Sequence, residues 1–304
     1  MEQGPLGWLQ LLDLVAVQFG LALVLGAWAS SRRLGNAGSA WSIRCADWSL
    51  TAARAGVVLG FLALGVAIWL QAAVMADVPL GQAGPTVIKL LRDTHYGHVA
   101  LVGLAAWVAI APMVWSGRGH SAMLLGVLVM AWSRSSASHA ANGGDSSMDV
   151  AVDVVHIMAT SLWVGMVLVA TRLPLPASAM ADRLDASRWV QGLSSDATFA
   201  LMVVVLTGVF KVYRGVPDWA LLPGSDYARA LFVKLALVAV AVLLGGYNRF
   251  RVLPGLRAVL VERGESSLDP VWTRRFLRVL RIEMMVLLLV VAWAAVLAST
   301  EPPG

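Results

Sequence analysis

Charged residues and cysteine are both scarce in this sequence of 304 residues. Asp, Glu, Lys and Arg together make up only 13% of it, about half of their usual share in a soluble protein. A chain so poor in charge cannot cover a water-exposed surface, which argues against a soluble globular domain. The single cysteine, Cys45, excludes an internal disulfide and a metal site built from cysteines alone.

Other features of soluble proteins are also missing. The net charge of +5 does not indicate nucleic acid, because the basic residues lie between apolar runs, where they are typical of topology signals and of contact with anionic lipid. The lipid bilayer is the expected partner, and no nucleic acid is expected to bind. We find no ATP-binding loop and no nucleophile–base or acid–base set, so an enzyme is not predicted.

What the sequence has instead is long apolar runs. A membrane-spanning helix needs about 20 mainly apolar residues, and eight unbroken runs meet this length. We predict an all-α, polytopic integral membrane protein in which eight helices form a single domain over residues 1–304, with four helices in 6–147 and four in 148–304. The first run has no basic segment before it and is expected to be retained. The runs cover residues 6–30, 48–75, 94–115, 120–139, 149–171, 195–214, 227–249 and 277–299.

The distribution of Lys and Arg predicts the orientation. With the N-terminus outside, the inner loops hold 15 basic residues and the outer loops hold 6. Because basic loops stay on the cytoplasmic side, both termini are predicted to be periplasmic in a bacterial inner membrane.

This topology places four of the five histidines at the periplasmic level, on three different helices. His95 and His98 share one helix face because they are three residues apart. His139 closes the fourth predicted helix, and His156 lies in the fifth. We predict that these four residues form a metal site.

Acidic and thioether side chains accompany the histidines. Asp149 and Asp153 precede His156 on one face of the fifth helix, and Met148 begins it. Imidazole with carboxylate suits copper, zinc or nickel, whereas a thioether favours Cu(I) over Cu(II), so the oxidation state stays open. Lys234 in the seventh helix is a possible charge partner of Asp149 or Asp153.

Two further charged residues, Arg54 and Glu283, are predicted inside spans toward the cytoplasmic side. An unpaired charge that faces lipid is costly, so both are expected to be paired within the bundle.

Several short motifs occur in an order that resembles a known family, copper resistance protein D (CopD/PcoD). The resemblance is strongest over residues 195–300. Upstream of it, Ser138 stands where the family has glycine before a histidine. The motifs are Thr207-Gly208, Tyr227 followed by Leu231-Phe232-Val233-Lys234, Asn248-Arg249, Arg281-Ile282-Glu283, His156 with Trp163-Val164-Gly165, and His139-Ala140-Ala141.

The resemblance implies a function in copper homeostasis at the inner membrane, with copper as the ion bound and a separate periplasmic copper-binding protein of the CopC type as partner. Our leading hypothesis is copper uptake through the predicted site. Two alternatives stay open: a copper-binding partner that does not transport, for oxidase copper delivery or chaperone docking, and a haem redox protein with two histidine ligands.

Overall fold

The computed structural model describes residues 4–35, 38–117, 120–172, 179–216, 220–261 and 270–300. Within these ranges all regular structure is helical, as the sequence predicts. The α-helices in this part of the chain are α1 (Pro5–Leu34), α2 (Ala40–Ala76), α3 (Gly84–Asp93), α4 (His95–Ser116), α5 (His120–Ser136), α6 (Met148–Ala170), α7 (Met180–Gly215), α8 (Asp226–Tyr247), α9 (Leu253–Val261) and α10 (Pro270–Ala298).

Three short segments of other helical types connect them. Two are 3-10 helices, Leu80–Gln82 and His139–Gly143. The third is a π-helical segment, Asn248–Val252, which joins α8 to α9 without a break.

Seven of the described helices are long and apolar enough to cross a membrane, namely α1, α2, α4, α6, α7, α8 with its continuation into α9, and α10. The chain is therefore a multi-pass membrane protein. The predicted span 120–139 corresponds to α5, whose apolar part, Ala122–Ser136, is shorter than the others. The predicted number of eight spans is not confirmed.

Two helices extend well beyond their apolar runs. α2 begins at Ala40 and α7 at Met180, whereas the apolar runs begin at 48 and 195. The polar extensions pack on each other. Asp182 accepts a hydrogen bond from the Trp41 backbone N–H at 3.0 Å. The Trp41 and Trp189 rings pack edge to face, with their centroids 5.9 Å apart. Hydropathy identifies only the part of a helix that lies in lipid, so it does not detect these turns.

α1 lies at the centre of the bundle, between α2 and α6. Gly20 faces Gly60 of α2, and Gly26 faces Gly165 of α6, so closely that a Cβ atom at Gly20, Gly26 or Gly165 would overlap the facing backbone. A Cβ atom at Gly60 would overlap the Trp107 ring of α4. Small residues allow such close packing of helices in lipid, where packing rather than hydrophobicity drives association.

Side-chain contacts define two ends of the bundle. At one end, here called the histidine end, His95 at the start of α4 meets the end of α5, and Asp149 at the start of α6 pairs with Arg214 at the end of α7. Trp293 of α10 donates to the Ala230 carbonyl near the start of α8 at 2.8 Å. The opposite end, where α8 ends and α10 begins, is called the arginine end after Arg249. α1 starts and α10 finishes toward the histidine end.

Candidate metal centre

His95 lies on the surface of the histidine end. Thr94 caps α4, its side-chain oxygen accepting from the Gly97 backbone N–H at 3.0 Å. The His95 Nε2 atom lies 3.1 Å from a carboxylate oxygen of Asp145 and 3.2 Å from the Ser136 carbonyl. Asp145, which lies in the connection between α5 and α6, is not among the site residues predicted from the sequence. Its proximity to His139 in the sequence was the available signal.

The other surface residues of the predicted site have separate surroundings. His98 is exposed, and its Nε2 atom lies 2.8 Å from the Arg92 carbonyl at the end of α3. Met148 is 66% exposed at the start of α6. The backbone of His139 opens the 3-10 helix after α5, three residues beyond Ser136, but its side chain lies outside the described residues.

The two predicted carboxylates of α6 are held by α7. Asp149 accepts two hydrogen bonds from Arg214, at 3.1 and 3.0 Å. One turn deeper, Asp153 is only 5% exposed and forms an ion pair with Lys211. Lys234, the possible charge partner predicted from the sequence, lies within electrostatic range of Asp153 and Lys211 but makes no ion pair among the described residues.

The spacing of the charges could have indicated these pairs. α6 and α7 are antiparallel, so the outermost acid meets the outermost base and the deeper acid meets the deeper base. Asp149 and Asp153 are one helical turn apart on α6, and Lys211 and Arg214 are nearly one turn apart on α7. Both bases lie near the outer end of the predicted span 195–214, and both count among the six outer basic residues.

His156 lies one turn below Asp153, and Thr207 of α7 orients it. The His156 Nδ1 atom is 2.8 Å from the Thr207 hydroxyl oxygen. That hydroxyl also contacts the Val203 carbonyl at 2.6 Å, which uses its single hydrogen. With that hydrogen directed at Val203, Nδ1 is assigned as the protonated nitrogen that donates to Thr207. This tautomer leaves Nε2 with a free lone pair, the form in which imidazole binds a metal.

Gly208 lies beside the imidazole ring. A Cβ atom at position 208 would lie 3.6 Å from His156 Cε1, an ordinary contact distance, so a small side chain would also fit here. The Thr207-Gly208 motif of the sequence thus supplies both a hydrogen-bond acceptor and a packing surface for His156.

Among the residues that the structure describes, no three His, Cys, Asp or Glu side chains form a group that could hold a metal ion. The side chains that are brought together form two smaller sets, His95 with Asp145, and His156 with Asp153. The predicted site of four histidines therefore stays a prediction, since the side chain of His139 lies outside the described part.

The expected pairing of charges in the other half of the bundle is not found. Arg54 donates to the Trp115 carbonyl at 3.2 Å. Glu283 is 4% exposed and is hydrogen-bonded to Trp163. In the described ranges neither forms an ion pair, so the Glu283 carboxylate is buried without a cationic side chain.

Comparison with known proteins and protein families gives a match to one segment of the chain. No curated protein and no solved structure shows significant similarity to this chain. Residues 187–297, a little over a third of the chain, match the family model of CopD, copper resistance protein D. The match includes Thr207, Lys234 and Glu283, whereas His95 and His156 lie before it. The predicted resemblance is thus confirmed for α7, α8 and α10. This part of the chain is similar to the CopD family.

Proposed function

We propose that this protein captures copper at the periplasmic face of a bacterial inner membrane and passes it into the helix bundle. In this proposal the histidine end faces the periplasm and α5 is the eighth crossing. The two ends of α5 lie at opposite ends of the bundle, which supports a crossing. Met123 near the start of α5 lines a small cavity with Ser31 and Ser49 toward the arginine end. The Ser136 carbonyl, at the end of α5, contacts His95 at the histidine end. An α-helix of its 17 residues spans about 25 Å, close to the thickness of the hydrocarbon layer.

Capture begins at His95 and Asp145, whose contact leaves the imidazole half exposed to incoming metal. His98, His139 and Met148 remain predicted additional ligands. Two donors do not complete a copper site, so the proposal requires His139 or a donor from a second protein. A periplasmic copper-binding protein of the CopC type fits this requirement, because it would arrive with ligands of its own.

Transfer then leads to His156 and Asp153. The Asp153 carboxylate is occupied by Lys211, so a copper ion can bind beside it only if it takes the place of the lysine ammonium group. The Lys211 side chain is 42% exposed and has room to swing away. In this mechanism copper and lysine alternate as the positive charge next to Asp153, and Lys234 supplies a second positive charge that limits how long copper stays.

The observation that carries the proposal is the contact between His156 and Thr207. Thr207 belongs to the segment that matches the copper resistance family, and its hydroxyl group leaves His156 with a free Nε2 lone pair. The matched segment thus prepares a metal-binding imidazole on the neighbouring helix.

The test compares His156→Ala with His120→Ala in purified protein and in sealed vesicles. His120 is the one histidine outside the predicted site, which makes it a matched control. We expect His156→Ala to weaken copper binding and to abolish copper entry into vesicles, and His120→Ala to preserve both. Equal binding by the two variants contradicts the proposal. Copper binding by the wild-type protein without entry supports the partner that does not transport, and a Soret absorption band supports the haem alternative.

A further inference from the structure

A cavity of about 240 Å³ lies toward the arginine end, between α6, α7, α8 and α10. α7 packs on α6 and α8 packs on α10, while α7 and α8 make at most marginal contact with each other in the described ranges. α8 with its continuation is also the least buried of the seven long apolar helices. The cavity lies in the gap between α7 and α8, so its opening faces the surrounding lipid.

The walls of the cavity are mainly apolar. Each of the four helices contributes to them, for example with Trp163, Leu201, Val242 and Phe276. Glu283 is the acidic residue of the lining, and its carboxyl group is hydrogen-bonded to Trp163. A hydrocarbon chain suits such walls, because it requires no polar partner and leaves this hydrogen bond intact.

Arg249 marks the margin of the cavity at the level of the lipid head groups. Its Nη1 atom lies 2.9 Å from the backbone oxygen of Ser194, and Ser194 directly precedes the apolar run of α7 that begins at 195. On α8, Arg249 follows the first residue, Asp226, by 23 residues, or about 35 Å along a helix axis. The hydrocarbon layer is about 30 Å thick, so both helices reach the membrane surface at this level.

The positive charge of Arg249 has no acidic partner among the residues that the structure describes. Its Nη1 atom donates to the backbone and side-chain oxygens of Ser194, at 2.9 and 3.0 Å, and to the Thr198 hydroxyl at 3.0 Å. Asp196, the nearest acid in the sequence of α7, is paired with Arg33 of α1. These contacts hold the guanidinium in place with neutral acceptors, which leaves its charge for an anionic group.

The acid and the base of the lining lie at different depths. A Cβ atom at Gly245 would lie 3.2 Å from Glu283 Oε1, so the carboxyl group meets α8 one turn before Arg249, about 6 Å deeper. Trp163 holds it toward α6, and in the described ranges it makes no ion pair with Arg249. An anion bound at Arg249 is therefore separated from the acid, and only an uncharged chain would lie beside the acid.

We infer that this cavity binds one anionic phospholipid, with the phosphate group on Arg249 and an acyl chain in the gap between α7 and α8. Basic pockets between membrane helices bind acidic lipid head groups, and the planar guanidinium group matches the geometry of phosphate. The acyl chain would provide the packing that α7 and α8 do not provide for each other. The inference is independent of copper, because none of the proposed copper ligands lines the cavity.

Native mass spectrometry of the full-length protein in detergent tests this inference, with phosphatidylglycerol and phosphatidylcholine of identical acyl chains as the added lipids. We expect one phosphatidylglycerol to bind more tightly than phosphatidylcholine and to stay bound in an excess of inorganic phosphate. Arg249→Gln should weaken this binding by about tenfold. Arg251→Gln removes the same charge from an exposed residue outside the lining and serves as the matched control, with no change expected.

Gly246 allows the cavity to be tested without a change of charge. It lies in the lining, and a Cβ atom there meets no atom within 4 Å, so Gly246→Leu fills open space and leaves Arg249 in place. Leucine also favours a helix more than glycine does. We expect this variant to lose the bound phosphatidylglycerol. Gly65→Leu places the same side chain in open space on α2, outside the lining, and should keep the lipid.

Several results would overturn the inference. Equal affinity for the two lipids, or displacement by inorganic phosphate, contradicts a site for an anionic phospholipid. Equal losses in Arg249→Gln and Arg251→Gln indicate only lipid around the bundle. A dimer without bound lipid assigns the gap to a second copy of the chain. If Arg249→Gln is not recovered as a folded protein, Gly246→Leu decides, and full lipid binding by that variant counts against the site.

Discussion

The two ends of the bundle differ in whether their acidic side chains have ionic partners. At the histidine end Asp153 is paired with Lys211, and Asp149 with Arg214, so each carboxylate has its own cation. At the arginine end Glu283 is buried without an ionic partner in the described part of the chain, and Arg249 is bound to neutral oxygens. Ion pairs hold α6 and α7 together, whereas Glu283 is held by a hydrogen bond from the neutral Trp163 side chain.

The largest effect is expected when the compensation at Asp153 is removed. Lys211→Ala leaves a buried carboxylate without its partner, which should lower the free energy of unfolding by about 3 kcal/mol. Thermal unfolding in detergent measures the change. The double variant Lys211→Ala with Asp153→Asn should recover most of the loss, because neither charge remains. Wild-type stability of Lys211→Ala would remove the distinction between the two ends.

A smaller effect is expected when the support of His156 is removed. Thr207→Val deletes the acceptor of the Nδ1 proton, and loss of such a group typically weakens metal binding by about tenfold to a hundredfold. Thr198→Val makes the same change at the arginine end, where the hydroxyl group contacts Arg249. Copper titration should distinguish the variants, and equal affinities would show that Thr207 does not orient a copper ligand.

The exposed pair at the histidine end should matter less than the buried one. Arg214→Ala breaks the contact with Asp149, whose carboxylate can then be solvated at the membrane surface. We expect a loss well below that of Lys211→Ala in the same unfolding measurement, because solvent screens an exposed ion pair. A loss as large as that of Lys211→Ala would mean that burial does not separate the two pairs.

The smallest effect on stability is expected at the arginine end. Glu283→Gln replaces a buried carboxyl group that has no ionic partner among the described residues, and the amide oxygen can still accept from Trp163. The unfolding midpoint should therefore stay at the wild-type value or rise slightly. A marked decrease would indicate that Glu283 is compensated within the protein, contrary to the comparison drawn above.

Hydropathy and motif order predict much of this protein. The apolar runs correspond to long helices, and the motifs around Thr207 and Lys234 fall within the segment that matches the copper resistance family. α3 is not predicted, because its ten residues are too few and too polar to resemble a span. The starts of α2 and α7 are missed because their polar turns are stabilised by each other, through Trp41 and Asp182.

The candidate site is predicted less completely than the fold. Sequence reasoning selects His156 and Asp153 correctly as neighbours, since both lie on one face of α6. It does not find Asp145 beside His95, nor Lys211 beside Asp153, because these contacts join different helices. Met148 and Asp149 are placed near the surface, as expected, but Asp149 is already occupied by Arg214.

The sequence by itself determined that this chain is helical and crosses a membrane, because apolar length and the scarcity of charge leave no other way to solvate it. It also determined which residues share a helix face, since that depends only on the helical repeat. Only the tertiary structure decided which cation meets which acid. That choice between Lys211 and Lys234 depends on how deeply each residue lies and on which helix packs against α6, and neither is set by spacing along one helix.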